Sequence, residues 1–256
     1  MAFYIGTWPV RWYGITYALG LMLTTLYAEW CVRRDYCAAV GVQHLNRLFH
    51  YVTLGVLLGA RIGHFVLYDR HTLLHDPLDV VRVWDGGMSF HGGLVGLCCA
   101  VAVYAYRYGV NGWVISDLFA CSVPIGLGIG RIGNFINQEL YGRPTQRPWG
   151  IVFPRVDAVP RHPSQLYEAV LEGVMLFMLL RWCMVRYGRH WPAGRLSAIF
   201  CIAYGVLRWI SEWFRVPDDG MIGPLTWGQM YTIPVILGGC IVWWHTGRGT
   251  SRRLHV

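Results

Sequence analysis

The segment Val114–Ile136, with the sequence VISDLFACSVPIGLGIGRIGNFI, decides the fold class of this chain. It is long enough to cross a bilayer, because a spanning helix needs about 20 mostly apolar residues. Pro124 and the glycines weaken it as a helix. Arg131 within it is costly, since a central arginine adds about 2.5 to 3.5 kcal/mol to insertion. The segment therefore predicts a membrane helix that carries a charge, and this charge needs polar or oppositely charged partners.

Six further apolar blocks surround this segment and predict the same environment. They run near Tyr13–Trp30, His50–Tyr68, His91–Tyr106, Leu166–Val185, Leu196–Trp213 and Trp227–Trp244. The chain has a mean hydropathy of +0.37 and 14% charged residues, whereas soluble domains carry about 25%. We therefore predict an all-α polytopic integral membrane protein with about seven transmembrane helices and short interfacial segments. Residues 1–256 would form a single transmembrane domain, with an external loop region near 138–163.

The arginines between the blocks predict the orientation. All 22 basic residues are arginine, with 11 in the loops on one side, eight on the other and three inside blocks. Four of the eight lie in Tyr141–His162, which also carries a candidate motif; without them the bias is 11 against four. By the positive-inside rule the amino terminus is external and the carboxyl terminus cytoplasmic. Basic residues placed this way favour membrane lipid phosphates over nucleic acid as partners.

Several kinds of chemistry are disfavoured by the motifs that the sequence lacks. Its eight cysteines form no CxxC pair or zinc spacing, and we expect neither a metal nor a cofactor. The sequence contains no GxSxG, HExxH or GxxxxGK[ST] motif. Serine hydrolases, zinc proteases and P-loop ATPases are therefore poor interpretations. We also find no cleavable signal peptide, so the first apolar block is expected to remain as a span.

The densest polar motif is Gly130–Glu139, with the sequence GRIGNFINQE. Arg131, Asn134 and Asn137 recur every three residues and share one helix face. A guanidinium beside two amides can hold phosphate and glycerol oxygens, and the adjacent glycines allow a lipid to approach closely. The alternative is that Arg131 pairs with Glu139 or Asp117 and only links helices.

Two other segments carry candidate acid–base or charged groups. In Asp85–Gly93, glycine pairs bracket His91, a side chain suited to accept a proton near neutral pH; the alternative is a loop histidine that caps a helix. In Tyr204–Glu212, the residues Tyr204, Arg208 and Glu212 are spaced by four and share a face. Here the alternative is an Arg–Glu pair that satisfies itself.

A fourth segment, His162–Glu168, begins with residues typical of a helix start. Pro163 and Ser164 are such signals, and we expect Ser164 to cap the helix while His162 has a supporting role. Glu168 and Glu172 then follow within the fifth apolar block.

Taken in this order, the segments resemble the phosphatidylglycerol–prolipoprotein diacylglyceryl transferases, and the resemblance covers nearly the whole chain. The matching stretches are Arg11–Gly14, Trp84–Gly93, Gly130–Glu139, Arg161–Glu168, Tyr204–Arg208 and Glu212–Asp218. The pattern Gly-Arg-x-Gly-Asn-Phe-x-Asn-x-Glu is specific to that family. One departure is the short segment between Pro154 and His162, which bears on how the acceptor docks.

The resemblance implies seven spans, an external amino terminus and a bacterial plasma-membrane location. It implies phosphatidylglycerol as donor and the lipobox cysteine in a prolipoprotein signal peptide as acceptor. It also places essential or important functions at Tyr13, His91, Arg131, Asn134, Glu139, Tyr204 and Arg208.

We expect Arg131 and Arg208 to hold the departing phosphate and His91 to act as the general base. Asn134 and Asn137 would orient the head group, and Tyr13 and Tyr204 would bind lipid oxygens. Glu139 and Glu212 would fix the arginines in place, and Glu139 would also contribute to substrate binding. The general base could instead be an arginine or a water, which the sequence does not decide.

Two other classes of function remain open at this point. Arginines inside the membrane, and the echo of Arg131–Phe135 at Arg61–Phe65, also suit a transporter or channel for an anionic solute. A lipid scaffold, with arginines that only pair helices, is the other alternative.

Overall fold

The computed structural model describes residues 3–5, 8–10, 12–34, 36, 41–67, 69, 72, 79, 81–82, 87–188, 190–217 and 220–251. Two compact units make up the chain. The first comprises Met1–Tyr36 and Asp117–Val256, and the second is Cys37–Ser116. Arg11, Trp84–Gly86 and Asp218 of the sequence motifs lie outside the described residues.

Long helices dominate both units. The first unit also contains three short antiparallel hairpins. In chain order the elements are β1 (Phe3–Ile5), β2 (Trp8–Val10), α1 (Trp12–Arg33), α2 (Val42–Leu67), α3 (Phe90–Tyr108), α4 (Gly112–Asn137), β3 (Ile151–Val152), β4 (Pro160–Arg161), α5 (Ser164–Glu168), a π-helical segment (Ala169–Met175), α6 (Leu176–Tyr187), α7 (Arg195–Glu212), β5 (Met221–Ile222), β6 (Leu225–Thr226) and α8 (Trp227–Ser251). Each of β1–β2, β3–β4 and β5–β6 pairs in an antiparallel hairpin.

Every predicted apolar block is helical, which confirms a helical membrane protein. The bounds agree within a few residues except for α2, which begins at Val42 rather than His50, and α8, which ends at Ser251 rather than Trp244. Among the residues that the structure describes, three helices are long and apolar enough to cross a membrane: Trp12–Arg33, His44–Val66 and Gly112–Asn137. The total of seven spans stays a prediction.

The second unit is held together by glycines at the α2–α3 contact. A methyl group on Gly96 would lie 2.0 Å from the carbonyl oxygen of Gly55, and one on Gly92 would lie 2.2 Å from that of Gly59. Only hydrogen fits at these positions, so the two backbones touch. Close contact of small residues is the usual way to pack helices in lipid, where no hydrophobic force drives them together.

Arg61 on α2 fastens the segment that leads into α3. It is 3% exposed, and its guanidinium donates to the carbonyls of Gly87 (3.2 Å), Asp79 (2.5 Å) and Arg82 (2.8 Å). Gly87 adopts a φ of +76°, a backbone conformation that glycine reaches without steric cost. Ser89 caps α3 by accepting from the Gly92 amide at 3.2 Å.

In the first unit, α4 lies against α1 and the π-helical segment through glycines. Gly126 of α4 meets Gly20 of α1, since a methyl group on Gly20 would be 3.4 Å from the Gly126 Cα. Gly173 of the π-helical segment meets Gly128, where a methyl group would be 2.7 Å from the Gly128 Cα. The latter contact sets how closely the polar residues of these two helices can approach.

Asp117, one of the partners considered for Arg131, caps α7 instead. Its carboxylate accepts from the amides of Gly194 and Ser197, each at 2.7 Å, and from the Ser197 hydroxyl at 2.7 Å. A buried carboxylate with three donors at a helix start is well satisfied, because the amino end of a helix presents unpaired N–H groups. The suggested Arg131–Asp117 pair is therefore wrong.

Gly173→Ala should destabilise the protein by about 1–3 kcal/mol, because the added methyl group overpacks a backbone contact. The matched control is Gly238→Ala in α8, where a methyl group meets nothing within 4 Å. Alanine favours helix over glycine, so the control should be neutral or slightly stabilising. Thermal unfolding in detergent micelles measures both, and an equal Tm for the two variants would contradict the packing argument.

Candidate active site

Two arginines from different helices meet at a shared carboxylate in the first unit. Glu168, at the end of α5, is fully buried. One of its oxygens lies 3.0 Å from Nε of Arg131 on α4. The other accepts a hydrogen bond from Nη1 of Arg208 on α7 and lies 3.5 Å from Nη1 of Arg215. Glu168 therefore joins three guanidinium groups.

Two more carboxylates complete this cluster. Glu172 is buried and lies 3.2 Å from Nη2 of Arg131 and 3.5 Å from Nη1 of Arg208. Glu212 lies 2.8 Å from Nη2 of Arg208, one helical turn away on α7, as the spacing predicted. The three arginines and three glutamates have a formal charge of zero, so this ion cluster can exist in a low-dielectric interior.

The ion cluster is asymmetric, because its arginines are its more accessible members. The side chains of Arg131 and Arg208 are 16% and 13% exposed, whereas those of Glu168 and Glu172 are 0% exposed. Nη1 of Arg131 makes no hydrogen bond or ion pair with any described residue. The carboxylates fix the orientation of both guanidinium groups, and Nη1 of Arg131 is a donor that an anion could use.

The π-helical segment places Glu168 and Glu172 on the same side. It begins at Ala169, directly after Glu168, and includes Glu172. Short π-helical turns inside α-helices often occur at functional sites. Because Gly173 lies against Gly128, both carboxylates can reach the guanidinium three residues further along α4.

The residues after α4 are joined to the start of α5. Asn134 donates to Glu139 at 3.4 Å, and Gln165 donates to the Glu139 carbonyl at 2.6 Å. Ser164 donates to the Leu140 carbonyl at 3.0 Å. Ser164 is the first residue of α5, and its hydroxyl forms no capping hydrogen bond. The expectation that Ser164 caps this helix is therefore wrong. Oε1 of Gln165 is buried without a hydrogen-bond partner in the described structure.

Glu139 does not fix Arg131, which corrects a second expectation. Its carboxylate accepts from Asn134, while Arg131 is bound by Glu168 and Glu172. Asn137 ends α4, and its carbonyl accepts from Arg155 at 3.4 Å. Among the suggested substrate-binding groups, Asn134 and Glu139 are thus in mutual contact, and Asn137 lies beside them.

His162 precedes α5 and contacts aromatic rings. Its Nδ1 is 3.1 Å from the Tyr167 hydroxyl, and its ring centroid is 5.3 Å from that of Phe214. Burial and the charge of Arg147 lower the pKa of His162, which favours the neutral imidazole. Its supporting role in substrate binding stays a prediction.

The two candidate tyrosines lie near the arginines on different helices. Tyr13 on α1 is 39% exposed and shares a hydrogen bond with the Tyr17 hydroxyl at 2.7 Å. Its hydroxyl lies close enough to Glu139 and Arg131 to interact electrostatically with both. Tyr204, one turn before Arg208, is within range of the charges of Glu172 and Arg208. Both positions suit the binding of lipid oxygens.

His91 belongs to the second unit. It lies in the first turn of α3 with an exposed side chain, and Ser89 rather than His91 caps that helix. An exposed imidazole at a helix start is accessible to a proton donor. Its assignment as the general base stays a prediction.

Glu168 and Arg215 are the members of the ion cluster that sequence reasoning missed. Glu168 precedes Glu172 by four residues within a predicted span, and carboxylates there are as costly as arginines. That cost could have identified the two glutamates as the partners of Arg131 and Arg208.

Within the described part of the chain, no group of three His, Cys, Asp or Glu residues could hold a metal ion.

Comparison with known proteins identifies the family of this chain. The model of the family "prolipoprotein diacylglyceryl transferase" matches residues 1–245. The phosphatidylglycerol–prolipoprotein diacylglyceryl transferase of Nitrosospira multiformis is 45% identical over 246 residues, covering 94% of this chain and 84% of the relative. That of Legionella pneumophila (strain Lens) is 43% identical, with 95% of each chain covered. That of Bordetella avium is 40% identical, with 99% and 96% covered. With matches over nearly its full length, this chain belongs to the prolipoprotein diacylglyceryl transferase family.

Proposed function

We infer that this protein transfers the diacylglyceryl group of phosphatidylglycerol to the lipobox cysteine of bacterial prolipoproteins. Family membership supports this activity over a transporter or a scaffold, and so do the relatives named phosphatidylglycerol–prolipoprotein diacylglyceryl transferase, which match nearly the whole chain. The single structural observation that carries it is the ion cluster, in which Glu168 holds Arg131 and Arg208 while both arginines stay partly accessible.

The reaction forms a C–S bond and breaks a C–O bond. The thiolate sulfur attacks the glycerol carbon that carries the phosphate, and the C–O electron pair leaves with glycerol phosphate. The thiol proton must first go to a base, since a free cysteine has a pKa of about 8.5. Negative charge then builds up on the departing phosphate, which donors already in position can stabilise in a site of low dielectric constant.

Arg131 and Arg208 are the proposed donors to that phosphate. Their carboxylate partners keep them oriented before the substrate binds, so little reorganisation accompanies the reaction. Asn134 and Asn137 would orient the glycerol head group, and Tyr13 and Tyr204 would bind lipid oxygens. In this proposal Glu212 positions Arg208, and Glu139 acts through Asn134 rather than on Arg131.

His91 is the proposed general base. His91→Ala should lower the transfer rate by about 10²–10⁴-fold, the usual contribution of a positioned acid or base. His50→Ala is the matched control, because His50 lies in the same unit and its Nδ1 contacts only its own helix, at the Asn46 carbonyl. Rates are measured with a lipobox peptide in vesicles, and added imidazole should restore part of the activity of His91→Ala. Unchanged turnover in this variant would remove the base assignment.

The membrane arrangement is also part of the proposal. Residues 1–256 would form one transmembrane domain with seven spans and an external region near 138–163, in the bacterial plasma membrane. The amino terminus would be external and the carboxyl terminus cytoplasmic, as the arginine distribution indicates. Phospholipid would reach the arginines laterally from the bilayer, and the acceptor's signal helix would pack beside them.

A reconstituted transfer assay tests the activity. Purified protein is placed in vesicles of phosphatidylglycerol that carries labelled acyl chains, with a peptide that contains one lipobox cysteine. Label should move to that cysteine in the absence of any ion or solute gradient, and glycerol phosphate should be released in equal amount. A matched peptide with serine in place of the cysteine should remain unlabelled. Solute flux without labelled peptide would support the transporter instead.

A further inference from the structure

A second feature suited to lipid lies beside the amino-terminal half of α7, whereas Arg208 and Glu212 of the ion cluster lie in its carboxyl-terminal half. A groove of about 360 Å³ is lined by Leu179 of α6, by Ile199, Ile202 and Ala203 of α7, and by Trp243 of α8. Leu179 and Trp243 are each 38% exposed, so the groove opens on the surface of the helices. Its lining can accept a hydrocarbon chain.

Arg195, the first residue of α7, lies at the end of this groove. Its guanidinium carbon is 3.8 Å from the centroid of the Trp243 ring, which also lines the groove. Its Nε is buried without a hydrogen-bond partner, and the guanidinium forms no ion pair with any described residue. A buried donor without a partner is rare in proteins, because such groups are normally satisfied.

The nearest structural carboxylate does not supply the missing partner. Asp117 binds the backbone of this helix start through the amides of Gly194 and Ser197, and its oxygens are already occupied. This capping fixes the backbone on either side of Arg195. The side chain therefore projects from a firmly held position towards Trp243, with its charge uncompensated.

The apolar groove together with Arg195 would select a lipid by its head group. Hydrocarbon tails are as apolar as the groove, so any phospholipid can fill it and the groove alone gives no selectivity. Arg195 as a whole is partly exposed, so a phosphate oxygen can accept a charge-assisted hydrogen bond from its guanidinium group. A zwitterionic lipid brings a second, cationic group that the guanidinium repels, whereas an anionic lipid does not.

We propose that this groove and Arg195 form a binding site for an anionic phospholipid, separate from the site of transfer. Arg195 and Arg208 are on one helix, so at 1.5 Å per residue they lie about 20 Å apart. By the orientation proposed above, the bound lipid belongs to the cytoplasmic leaflet. The site stands independently of the transfer reaction, and its test uses no measurement of activity.

Photo-crosslinking in bilayers tests the site. The probes are phosphatidylglycerol and phosphatidylcholine with the same diazirine-bearing acyl chain, and adducts are located by peptide mass spectrometry. Adducts at the active site are therefore distinguished from those in the groove by position. The phosphatidylglycerol probe should label the groove residues at least threefold more than the phosphatidylcholine probe.

Variants then separate charge from shape. Arg195→Gln should remove the head-group preference, and Arg195→Lys should keep most of it. The matched control is Arg248→Gln, because Arg248 lies over the exposed ring of Trp244 in the same helix but outside the groove. It should retain the full preference. Leu179→Trp should lower the labelling of the groove by both probes.

Two results would overturn the proposal. One is equal labelling of the groove by both probes in the unaltered protein. The other is a preference that survives in folded Arg195→Gln, as judged by its Tm. Should Arg195→Gln not fold, the head-group comparison in the unaltered protein and the effect of Leu179→Trp decide the matter.

Discussion

Arg131→Gln and Arg208→Gln should each lower the rate of diacylglyceryl transfer by about 10²–10³-fold, as expected for the loss of one positioned donor to a developing anion. Both side chains are held by Glu168 and keep part of their surface accessible. Removing either leaves the departing phosphate without one of its two guanidinium partners. The measurement is the initial rate of glycerol phosphate release in the reconstituted assay.

A double variant separates this chemical role from a structural one. Arg208→Gln alone leaves an excess buried carboxylate, which destabilises proteins by about 3–5 kcal/mol. Adding Glu212→Gln removes the 2.8 Å pair as a unit and restores the formal neutrality of the ion cluster. The double variant should regain much of the lost Tm but stay inactive. Arg33→Gln, which removes an exposed pair with Glu29, should keep its activity within twofold. Normal turnover in folded Arg208→Gln would refute the assignment.

Glu168→Gln should destabilise the protein by about 3–5 kcal/mol, the usual cost of breaking a buried ion pair from one side. The variant leaves three guanidinium groups facing two carboxylates in an environment of low dielectric constant. Because Glu168 contacts all three arginines, neutralising it weakens the pairing of each of them. Unfolding in detergent micelles, followed by circular dichroism, measures the change.

Glu29→Gln is the matched control for this prediction. Glu29 pairs with Arg33 within α1, and the arginine side chain is 64% exposed. Exposed pairs of this kind contribute about 0–1 kcal/mol, so the Tm should hardly change. If Glu168→Gln unfolded at the same temperature as the unaltered protein, the carboxylate could not be ionised and paired as described.

The helices could be predicted because the blocks are long and mostly apolar, although His91–Tyr106, at 16 residues, is shorter than the about 20 that a span needs. The Arg208–Glu212 pair could also be predicted, since both residues lie on one helix and their spacing alone brings them together. The cost of carboxylates within a span marks Glu168 and Glu172 as candidate partners of an arginine. Their pairing with Arg131 itself depends on how α4 packs against the π-helical segment, which the sequence does not give. Local sequence offered Glu139 and Asp117, and each is satisfied elsewhere.

The close packing of glycines was predicted only in general terms. Small residues near Arg131 indicated a close approach, and Gly128 does lie against Gly173. Which backbone or lipid would fill that space depends on pairing between helices far apart in the sequence. The α2–α3 contact was not foreseen, although Gly55, Gly59 and Gly63 recur every four residues in the sequence. His91 as the base remains a prediction.

The π-helical segment amounts to one extra residue accommodated within an otherwise regular helix. Deleting a residue from it would restore α-helical winding, and each residue in an α-helix turns the chain by about 100°. Everything upstream, including Glu168, would then be rotated away from the residues that follow Met175. A mutation that improved the regularity of this helix would therefore misalign the carboxylate that joins the arginines.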